Sequence, residues 1–163
     1  MKKVLLVGNF GVGKTSLINR YVLNNFSEEY ISTIGVKVSS KKVQLENHVL
    51  KLLIWDVAGT KSNEKIPKSY FLGASAAMFV FDLSREETYL SIKNDLSIIK
   101  ELSSLDNLIV IGNKADLLSS EELESTKKLV GINIDFLTSA KEGVNVEEAF
   151  KVLAKNSLNP TKV

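Results

Sequence analysis

The sequence predicts an α/β fold in which a mainly parallel sheet is covered by helices on both faces. Short runs rich in Val, Ile and Leu recur along the chain, and segments with helical spacing of apolar residues separate them. Alternation of strand and helix is typical of a parallel sheet, because parallel neighbours need crossover connections. The 163 residues, 44% of them hydrophobic, suffice for one core, and we expect a single domain over residues 1–163.

Six strands are expected. Five of them are apolar runs near residues 3–8, 49–55, 76–82, 108–112 and 133–138. The sixth, over residues 36–45, turns at residues 46–48 into the next run and reads as a hairpin, so it adds one antiparallel strand.

The helices are predicted from apolar stripes and start signals. One stripe is formed by Tyr89, Ile92, Leu96 and Ile99, and another by Val146, Ala149, Phe150 and Leu153. Three possible capping boxes mark helix starts at Ser84-x-x-Glu87, Ser119-x-x-Glu122 and Asn145-x-x-Glu148.

A glycine-rich segment lies between the first strand and the first helix. Residues 8–15 read GNFGVGKT and match the pattern GxxxxGK[ST]. Glycines let successive backbone N–H groups curl around phosphate oxygens, and the helix N-terminus adds partial positive charge. Lys14 would reach the β- and γ-phosphates, and the Thr15 hydroxyl would hold Mg²⁺. We expect the phosphate contacts to come from Gly11, Val12, Gly13, Lys14, Thr15 and Ser16.

Two segments near the ends of later strands indicate which base is bound. Asn113, Lys114 and Asp116 follow an apolar strand, and a carboxylate at Asp116 can accept from both N1–H and the exocyclic amine of guanine. Adenine offers an acceptor at N1 instead, and a site built to hydrogen-bond a substrate group rejects an analogue lacking it by roughly 10⁴–10⁵. Asn113 can tie this loop to the phosphate-binding loop, and the Lys114 stem can cover one face of the base.

The second base-reading segment is TSAK at residues 138–141. Backbone N–H groups around Ala140, between Ser139 and Lys141, would donate to guanine O6. The two segments together therefore predict GTP and GDP as ligands rather than ATP.

Two further residues would complete a metal and γ-phosphate site. Asp56 ends an apolar strand and would hold Mg²⁺ through a water, and the Gly59 N–H would donate to the γ-phosphate. Upstream, residues 30–35 offer Thr33 as a second hydroxyl ligand to Mg²⁺.

These motifs together resemble a Ras-superfamily small GTPase of the Rab branch. The matching strings are GxxGVGKTSL at 8–17, YISTIGV at 30–36, IWDxAG at 54–59, SYFxGA at 69–74, GNKxDL at 112–117 and TSAK at 138–141. The resemblance spans nearly the whole chain and implies the small G domain of the P-loop NTPases, with Mg²⁺ and GTP or GDP bound.

The resemblance also implies residue roles. Phe26 matches an aromatic that packs against the guanine ring, with burial in the core as the alternative. Tyr30 matches a tyrosine that lies over the phosphates in the GTP state. Residues 26–36 and 57–70 match the two switch segments that γ-phosphate and Mg²⁺ order.

Val38, Trp55 and Tyr70 fall where Rab proteins present a hydrophobic triad to effector proteins, although Rabs usually have Phe at the first of these positions. A core role for Trp55 is the alternative. The triad and the two switch segments are the surfaces on which we expect effectors and regulators to bind.

Two residues depart from the family where hydrolysis would be organised. Lys14 and Thr33 match residues that serve catalysis, but Thr60 stands where the family has a glutamine that orients the attacking water. Phe10 replaces a small residue of the phosphate-binding loop, and its ring would project toward the γ-phosphate, where that glutamine or an arginine from a partner must sit. The chain has two arginines, Arg20 and Arg85, and neither lies in a switch segment. We therefore expect that this chain does not supply its own arginine to the γ-phosphate.

Three functional classes are open from the sequence. The first is a switch with slow GTP hydrolysis, and the second is a GTP-binding module with negligible hydrolysis that acts as a scaffold or a constitutively loaded regulator. The third, a P-loop kinase or ATPase, is disfavoured by Asn113-Lys114-x-Asp116.

Composition adds few constraints. A net charge of +2 gives no argument for nucleic acid as a partner. The sequence has no cysteine, which excludes disulfides, a thiolate metal site and a prenyl or palmitoyl anchor on this chain. We expect a monomer in the cytoplasm.

Overall fold

A computed structural model describes residues 1–27, 33–46, 48–59, 66–103, 105 and 107–159. Strands and helices alternate along most of the chain. The strands are β1 (Lys2–Val7), β2 (Val36–Gln44), β3 (Val49–Val57), β4 (Ala74–Asp82), β5 (Leu108–Asn113) and β6 (Phe136–Leu137). The α-helices are α1 (Lys14–Leu23), α2 (Ile92–Ser103), α3 (Ser120–Val130) and α4 (Val146–Asn156), and three short 3₁₀ helices cover Lys68–Phe71, Glu86–Thr88 and Ala115–Leu117.

The strands form one six-stranded sheet in the order β2-β3-β1-β4-β5-β6. Every neighbouring pair is parallel except β2 and β3, which pair antiparallel from Val36 opposite Val57 to Gln44 opposite Val49. The predicted fold class is therefore confirmed, including the hairpin that supplies the one antiparallel strand.

Alternate residues of the strands face two separate layers of helices. On β1, Val4 and Leu6 pack with α1 and α4, whereas Leu5 and Val7 pack with α2 and α3. In the first layer Tyr21 of α1 stacks on Phe150 of α4, with ring centroids 4.0 Å apart. Because both faces of the central strands are covered, β1 and β4 carry nearly continuous apolar sequences.

The last strand is shorter than the sequence predicts. Residues 133–138 were expected to pair, but β6 contains only Phe136 and Leu137. The Asp135 N–H donates to Val110 O, while the Asp135 carboxylate accepts from Val110 N at 2.7 Å. A side-chain oxygen thus takes the place of a backbone carbonyl, and the regular ladder begins only after Asp135.

The three predicted helix starts behave differently. The Ser119 capping box is confirmed, because Glu122 N donates to Ser119 Oγ and Ser119 N donates to Glu122 Oε2. Asn145 does precede α4, but its φ is 56° and its side chain donates to Leu137 O instead of capping the helix.

The prediction at Ser84 is wrong. The Ser84 N–H and hydroxyl both donate to Asp82 Oδ1, and the segment that follows is the short 3₁₀ helix Glu86–Thr88 rather than an α-helix. A carboxylate two residues upstream competes successfully for the groups that a capping box would use. As a result α2 begins only at Ile92, and Tyr89 packs from the turn before it.

Candidate functional site

The glycine-rich loop crosses from β1 to the N-terminus of α1. Gly11 and Gly13 have φ of 74° and 100°, a left-handed conformation that favours glycine. A side chain at Gly13 would also collide with the Asn113 amide. The loop therefore requires glycine at this position for two reasons, backbone conformation and the close approach of a second loop.

Lys14 is buried at the start of α1. Its ammonium donates to Gly8 O at 2.9 Å and to Asn9 O at 3.0 Å, so it lies across the loop that precedes it. Burial lowers the pKa of the Lys14 ammonium from 10.5 to about 8, while the Asp56 carboxylate opposes the shift by favouring the charged form.

Three oxygen-bearing side chains converge beside Lys14. Thr15 Oγ1 donates to Asp56 Oδ2 at 2.6 Å, Thr33 Oγ1 lies 3.1 Å from the same oxygen, and the two hydroxyl oxygens are 2.9 Å apart. Asp56 is buried, and its Oδ1 has no hydrogen-bond partner among the residues that the structure describes. Hydroxyl and carboxylate oxygens are the ligands that Mg²⁺ prefers. The group therefore fits a magnesium ion, and the three predicted metal-site residues are brought together.

Asn113 links the phosphate-binding loop to the loop after β5. Its Nδ2 donates to Val12 O at 3.0 Å, and its Oδ1 accepts from Thr138 Oγ1 at 3.0 Å. Asn113 and Thr138 are both buried, so these hydrogen bonds are shielded from water. They hold three loops in one arrangement, those that begin at Gly8, Lys114 and Ser139.

The Asp116 carboxylate is exposed and oriented by Ser139. Ser139 Oγ donates to Asp116 Oδ1 at 2.6 Å and accepts from Glu142 N at 3.0 Å. One carboxylate oxygen is thereby fixed, and the group keeps further acceptor capacity toward the cavity.

Lys114 is in the left-handed conformation, with φ of 65°, and its ammonium lies 2.7 Å from Asp82 Oδ2. Asp82 is fully buried at the carboxyl end of β4. No role is predicted for Asp82 from the sequence. An acidic residue that ends an apolar strand, as Asp56 also does, was the signal that could have identified it.

Two arginines outside the predicted site also contact its loops. Arg20 of α1 donates from Nε to Ala140 O at 2.8 Å and from Nη2 to Lys141 O at 2.5 Å. Arg85 donates from Nη2 to Phe10 O at 3.0 Å and pairs with Glu87 at 3.1 Å. No local pattern in the sequence distinguishes either residue, because their partners lie far away along the chain.

These loops surround a cavity of about 340 Å³. Most of the predicted nucleotide-binding residues line it: Gly11, Gly13, Lys14, Thr15, Ser16, Phe26, Thr33, Gly59, Asn113, Lys114, Asp116, Ala140 and Lys141. Val12 and Ser139 do not line the cavity, but they contact residues that do. Val12 O accepts from Asn113 Nδ2, and Ser139 Oγ donates to Asp116 Oδ1. Tyr30 and Thr60 lie outside the described residues.

Two aromatic residues, Phe10 and Phe26, line the cavity. Phe26 lines the cavity and also packs against the core, and its contact with a guanine ring stays a prediction. Phe10 lines the cavity with 39% of its surface exposed. A side chain at Gly59 would come within 2.6 Å of Phe10 N and 2.8 Å of Asn9 O, so the chain leading to Thr60 runs directly against the backbone of Phe10.

The predicted triad for partners is partly exposed. Val38 is 52% exposed and lies opposite Trp55 across the β2–β3 pair. Trp55 and Tyr70 are half-buried and pack against the second core layer, so Trp55 contributes to the core, and its role toward effectors stays a prediction. Lys3 places its ammonium 3.7 Å from the centroid of a Trp55 ring and donates to Leu72 O. In the described part of the chain, no helix combines the length and the apolar character needed to cross a membrane.

Comparison with known proteins agrees with this arrangement of loops. The model of the Ras family matches residues 3–159. Ras-related protein Rab-13 of Mesocricetus auratus is 39% identical over 162 residues, which cover 96% of this chain and 79% of that protein. The Rab-13 proteins of Bos taurus and Rattus norvegicus are each 38% identical, over 96% and 98% of this chain and 79% and 81% of their own lengths. This chain therefore belongs to the Ras family of small GTPases and is close to the Rab proteins within it.

Proposed function

We propose that this protein is a switch that binds GTP and GDP with Mg²⁺ and hydrolyses GTP slowly. The observation that carries the proposal is the pair of hydrogen bonds made by Asn113, to Val12 O and from Thr138. They join the loop of residues 8–15 to the loop that carries the exposed Asp116 carboxylate, and residues of both loops line one cavity, which supports a ligand with a phosphate end and a base end.

At the phosphate end, the N–H groups of residues 11–16 bind phosphate oxygens at the N-terminus of α1. The Lys14 ammonium leaves the Gly8 and Asn9 carbonyls to contact the β- and γ-phosphates. Thr15 and Thr33 would hold Mg²⁺, and Asp56 would hold it through a water; the bound ion would supply positive charge to the phosphates. Gly59 would donate its N–H to the γ-phosphate, and Tyr30 matches the family tyrosine that would cover the phosphates.

At the base end, Asp116 accepts from N1–H and the exocyclic amine of guanine. The backbone N–H groups of Ala140 and Lys141 donate to O6. Phe26 and the Lys114 stem cover the faces of the base. Every residue assigned to the nucleotide belongs to one chain, so the proposed site functions in a monomer.

Hydrolysis is proposed to be slow because two residues are unsuited to it. Thr60 has a short hydroxyl that cannot contact water and γ-phosphate together as an extended carboxamide can. Phe10 is partly exposed and lines the cavity together with Gly59, which approaches the Phe10 backbone, and this supports the proposal that the Phe10 ring obstructs the water. The same position of Phe10 supports a second candidate function, a GTP-loaded regulator or scaffold with negligible hydrolysis.

The proposed output of the switch is a change at the surface. Residues 26–36 and 57–70 contain Thr33 and Gly59, both of which line the cavity, and the second segment also contains Tyr70. Effectors and regulators that read the nucleotide state bind these segments together with Val38 and Trp55. The exposure of Val38 supports this surface.

Competition between nucleotides tests the proposal. Fluorescent GDP is bound to the purified protein with Mg²⁺ and displaced with GDP, GTP, ATP or xanthosine diphosphate. We expect GDP and GTP to compete and ATP to fail by at least a thousandfold, because Asp116 requires the paired donors of guanine. Asp116→Asn should shift preference toward xanthosine diphosphate, which has an acceptor where guanine has its amine. ATP competing within about tenfold of GTP would reject the proposed function.

A further inference from the structure

Arg20 joins the helix that follows the phosphate-binding loop to the loop that faces the base. Its Nε donates to Ala140 O at 2.8 Å and its Nη2 donates to Lys141 O at 2.5 Å. A guanidinium is planar and rigid, so two donors from it fix two successive peptide groups in one orientation.

The first of those peptide groups carries the Lys141 N–H, one of the two donors proposed for the six-position oxygen. Ala140 and Lys141 both line the cavity, and Ala140 is buried. The Ala140 carbonyl and the Lys141 N–H belong to the same peptide unit. A charged donor on the carbonyl oxygen polarises this unit and makes its N–H a stronger donor, as expected in a chain of hydrogen bonds.

We propose that Arg20 is a positioning residue that determines recognition of the oxygen at the six-position of guanine. This inference rests on the proposed function, because it assigns a specificity role within the same nucleotide site. Arg20 acts through the peptides of residues 140 and 141 and makes no contact with the base itself.

The other edge of the base has separate support. Asp116 is oriented by Ser139, not by Arg20. The ends of the 139–144 turn are closed by reciprocal backbone hydrogen bonds between Ser139 and Val144. Removal of the Arg20 side chain should therefore disturb the six-position donors and spare the recognition of N1–H and the exocyclic amine.

The test compares three diphosphates at neutral pH: GDP, 6-thio-GDP and inosine diphosphate. 6-Thio-GDP retains N1–H and the amine but replaces O6 with sulfur, a weak acceptor. Inosine diphosphate retains O6 and lacks the amine. Dissociation constants are measured for the unmodified protein, Arg20→Ala and Arg20→Lys, with thermal unfolding as a check that each variant is folded.

We expect Arg20→Ala to weaken GDP binding about tenfold, as befits the loss of charge-assisted hydrogen bonds. The preference for GDP over 6-thio-GDP should shrink by a similar factor, while the preference for GDP over inosine diphosphate should stay unchanged. Arg20→Lys retains the charge but loses the planar pair of donors. Its preference for GDP over 6-thio-GDP should therefore lie between those of the unmodified protein and Arg20→Ala.

Arg85→Ala is the matched control, since it also removes an arginine that donates to a backbone carbonyl beside the cavity. It should leave the preference for GDP over 6-thio-GDP unchanged. If Arg20→Ala weakens all three diphosphates equally, or alters the inosine preference as much as the 6-thio preference, Arg20 has only a structural role and the inference is wrong. Failure of the unmodified protein to bind GDP would instead reject the proposed function.

Discussion

Lys14 combines burial with a charge that the proposed ligand requires. Its pKa is lowered to about 8 in the free protein because burial disfavours the charged form. Polyphosphate beside the ammonium favours that form and raises the pKa again. Between roughly pH 8 and pH 10 the complex then holds more protons than the free protein, so nucleotide binding takes up a proton and affinity falls as pH rises.

Calorimetry of GDP binding with Mg²⁺ measures this uptake. At about pH 8.5 the observed enthalpy should depend on the ionisation enthalpy of the buffer, with a slope near +0.7 proton. At about pH 7, where Lys14 is protonated in both states, this contribution should nearly vanish. An enthalpy independent of buffer at the higher pH would show that Lys14 keeps its proton in the free protein.

The presence of Phe10 and Thr60 leads us to expect slow intrinsic hydrolysis of GTP. A Ras-type site with its glutamine turns over unaided at about 4 × 10⁻⁴ s⁻¹. Losing about 1.4 kcal/mol of water orientation slows hydrolysis tenfold, so we expect ~10⁻⁴ s⁻¹ or less in single-turnover measurements. Thr60→Gln alone should recover little if the Phe10 ring occupies the space that the glutamine needs, as we propose. Phe10→Gly with Thr60→Gln should recover more than both single changes together, as residues sharing one volume are not additive.

Turnover of the unmodified protein at ~10⁻² s⁻¹ or faster would show that another group positions the water. In that case Phe10 and Thr60 do not limit hydrolysis, and both the slow-switch and the scaffold readings of these residues fail.

At the scale of single elements, α3 provides a measurable test of local stabilisation. Ser119 accepts from Glu122 N, and Glu122 in turn accepts from Ser119 N, which lowers the pKa of the Glu122 carboxyl below 4.5. Ser119→Ala should reduce the free energy of unfolding by about 1 kcal/mol in urea titrations. Ser120→Ala is the control, since Ser120 is exposed at the first position of the helix, and it should change stability little.

The charge of Glu122 adds a pH dependence. A lowered carboxyl pKa gives stabilisation that is present above the unfolded value and is lost as pH falls through the folded value. The stability difference between the unmodified protein and Glu122→Ala should therefore narrow below about pH 4.5. A difference that persists undiminished in acid would mean that helix propensity, not the capping carboxylate, causes it.

The starts of the helices and the length of the last strand show how far the local sequence predicts secondary structure. Ser119 caps a helix, because its hydroxyl accepts from Glu122 N and its N–H donates to the Glu122 carboxylate. Ser84 does not, because the buried carboxylate of Asp82 takes its N–H and hydroxyl. Asp135 similarly shortens β6 by pairing its side chain with Val110. Strand and helix types were predictable from periodicity, but these boundaries depend on particular side-chain hydrogen bonds.

At the scale of the whole molecule, the site is assembled at the carboxyl ends of parallel strands. β1 leads into the phosphate-binding loop, β4 ends at Asp82 and β5 ends at Asn113, and the sheet order places these ends side by side. The motif residues could be predicted because each motif is local. Arg20 and Arg85 could not, because their partners are 121 and 75 residues away and are brought near only by the fold.

A switch would change the conformation of two separate segments of the molecule when the nucleotide changes. Thr33 and Gly59 line one cavity from two different segments, so a γ-phosphate and Mg²⁺ can hold both segments at once. We expect amides in residues 26–36 and 57–70 to exchange more slowly with a GTP analogue bound than with GDP bound. Strand β4 should show equal protection in both states and serves as the internal control.

Thr33→Ala separates the two segments. Without its hydroxyl, the first segment loses its contact near Asp56, so the nucleotide-dependent difference over residues 26–36 should shrink. The difference over residues 57–70 should remain, because Gly59 donates through its backbone N–H. Equal protection of both segments with the GTP analogue and GDP in the unmodified protein would contradict a conformational switch. The chain would then be a guanine-nucleotide-binding module whose surface does not report which nucleotide it holds.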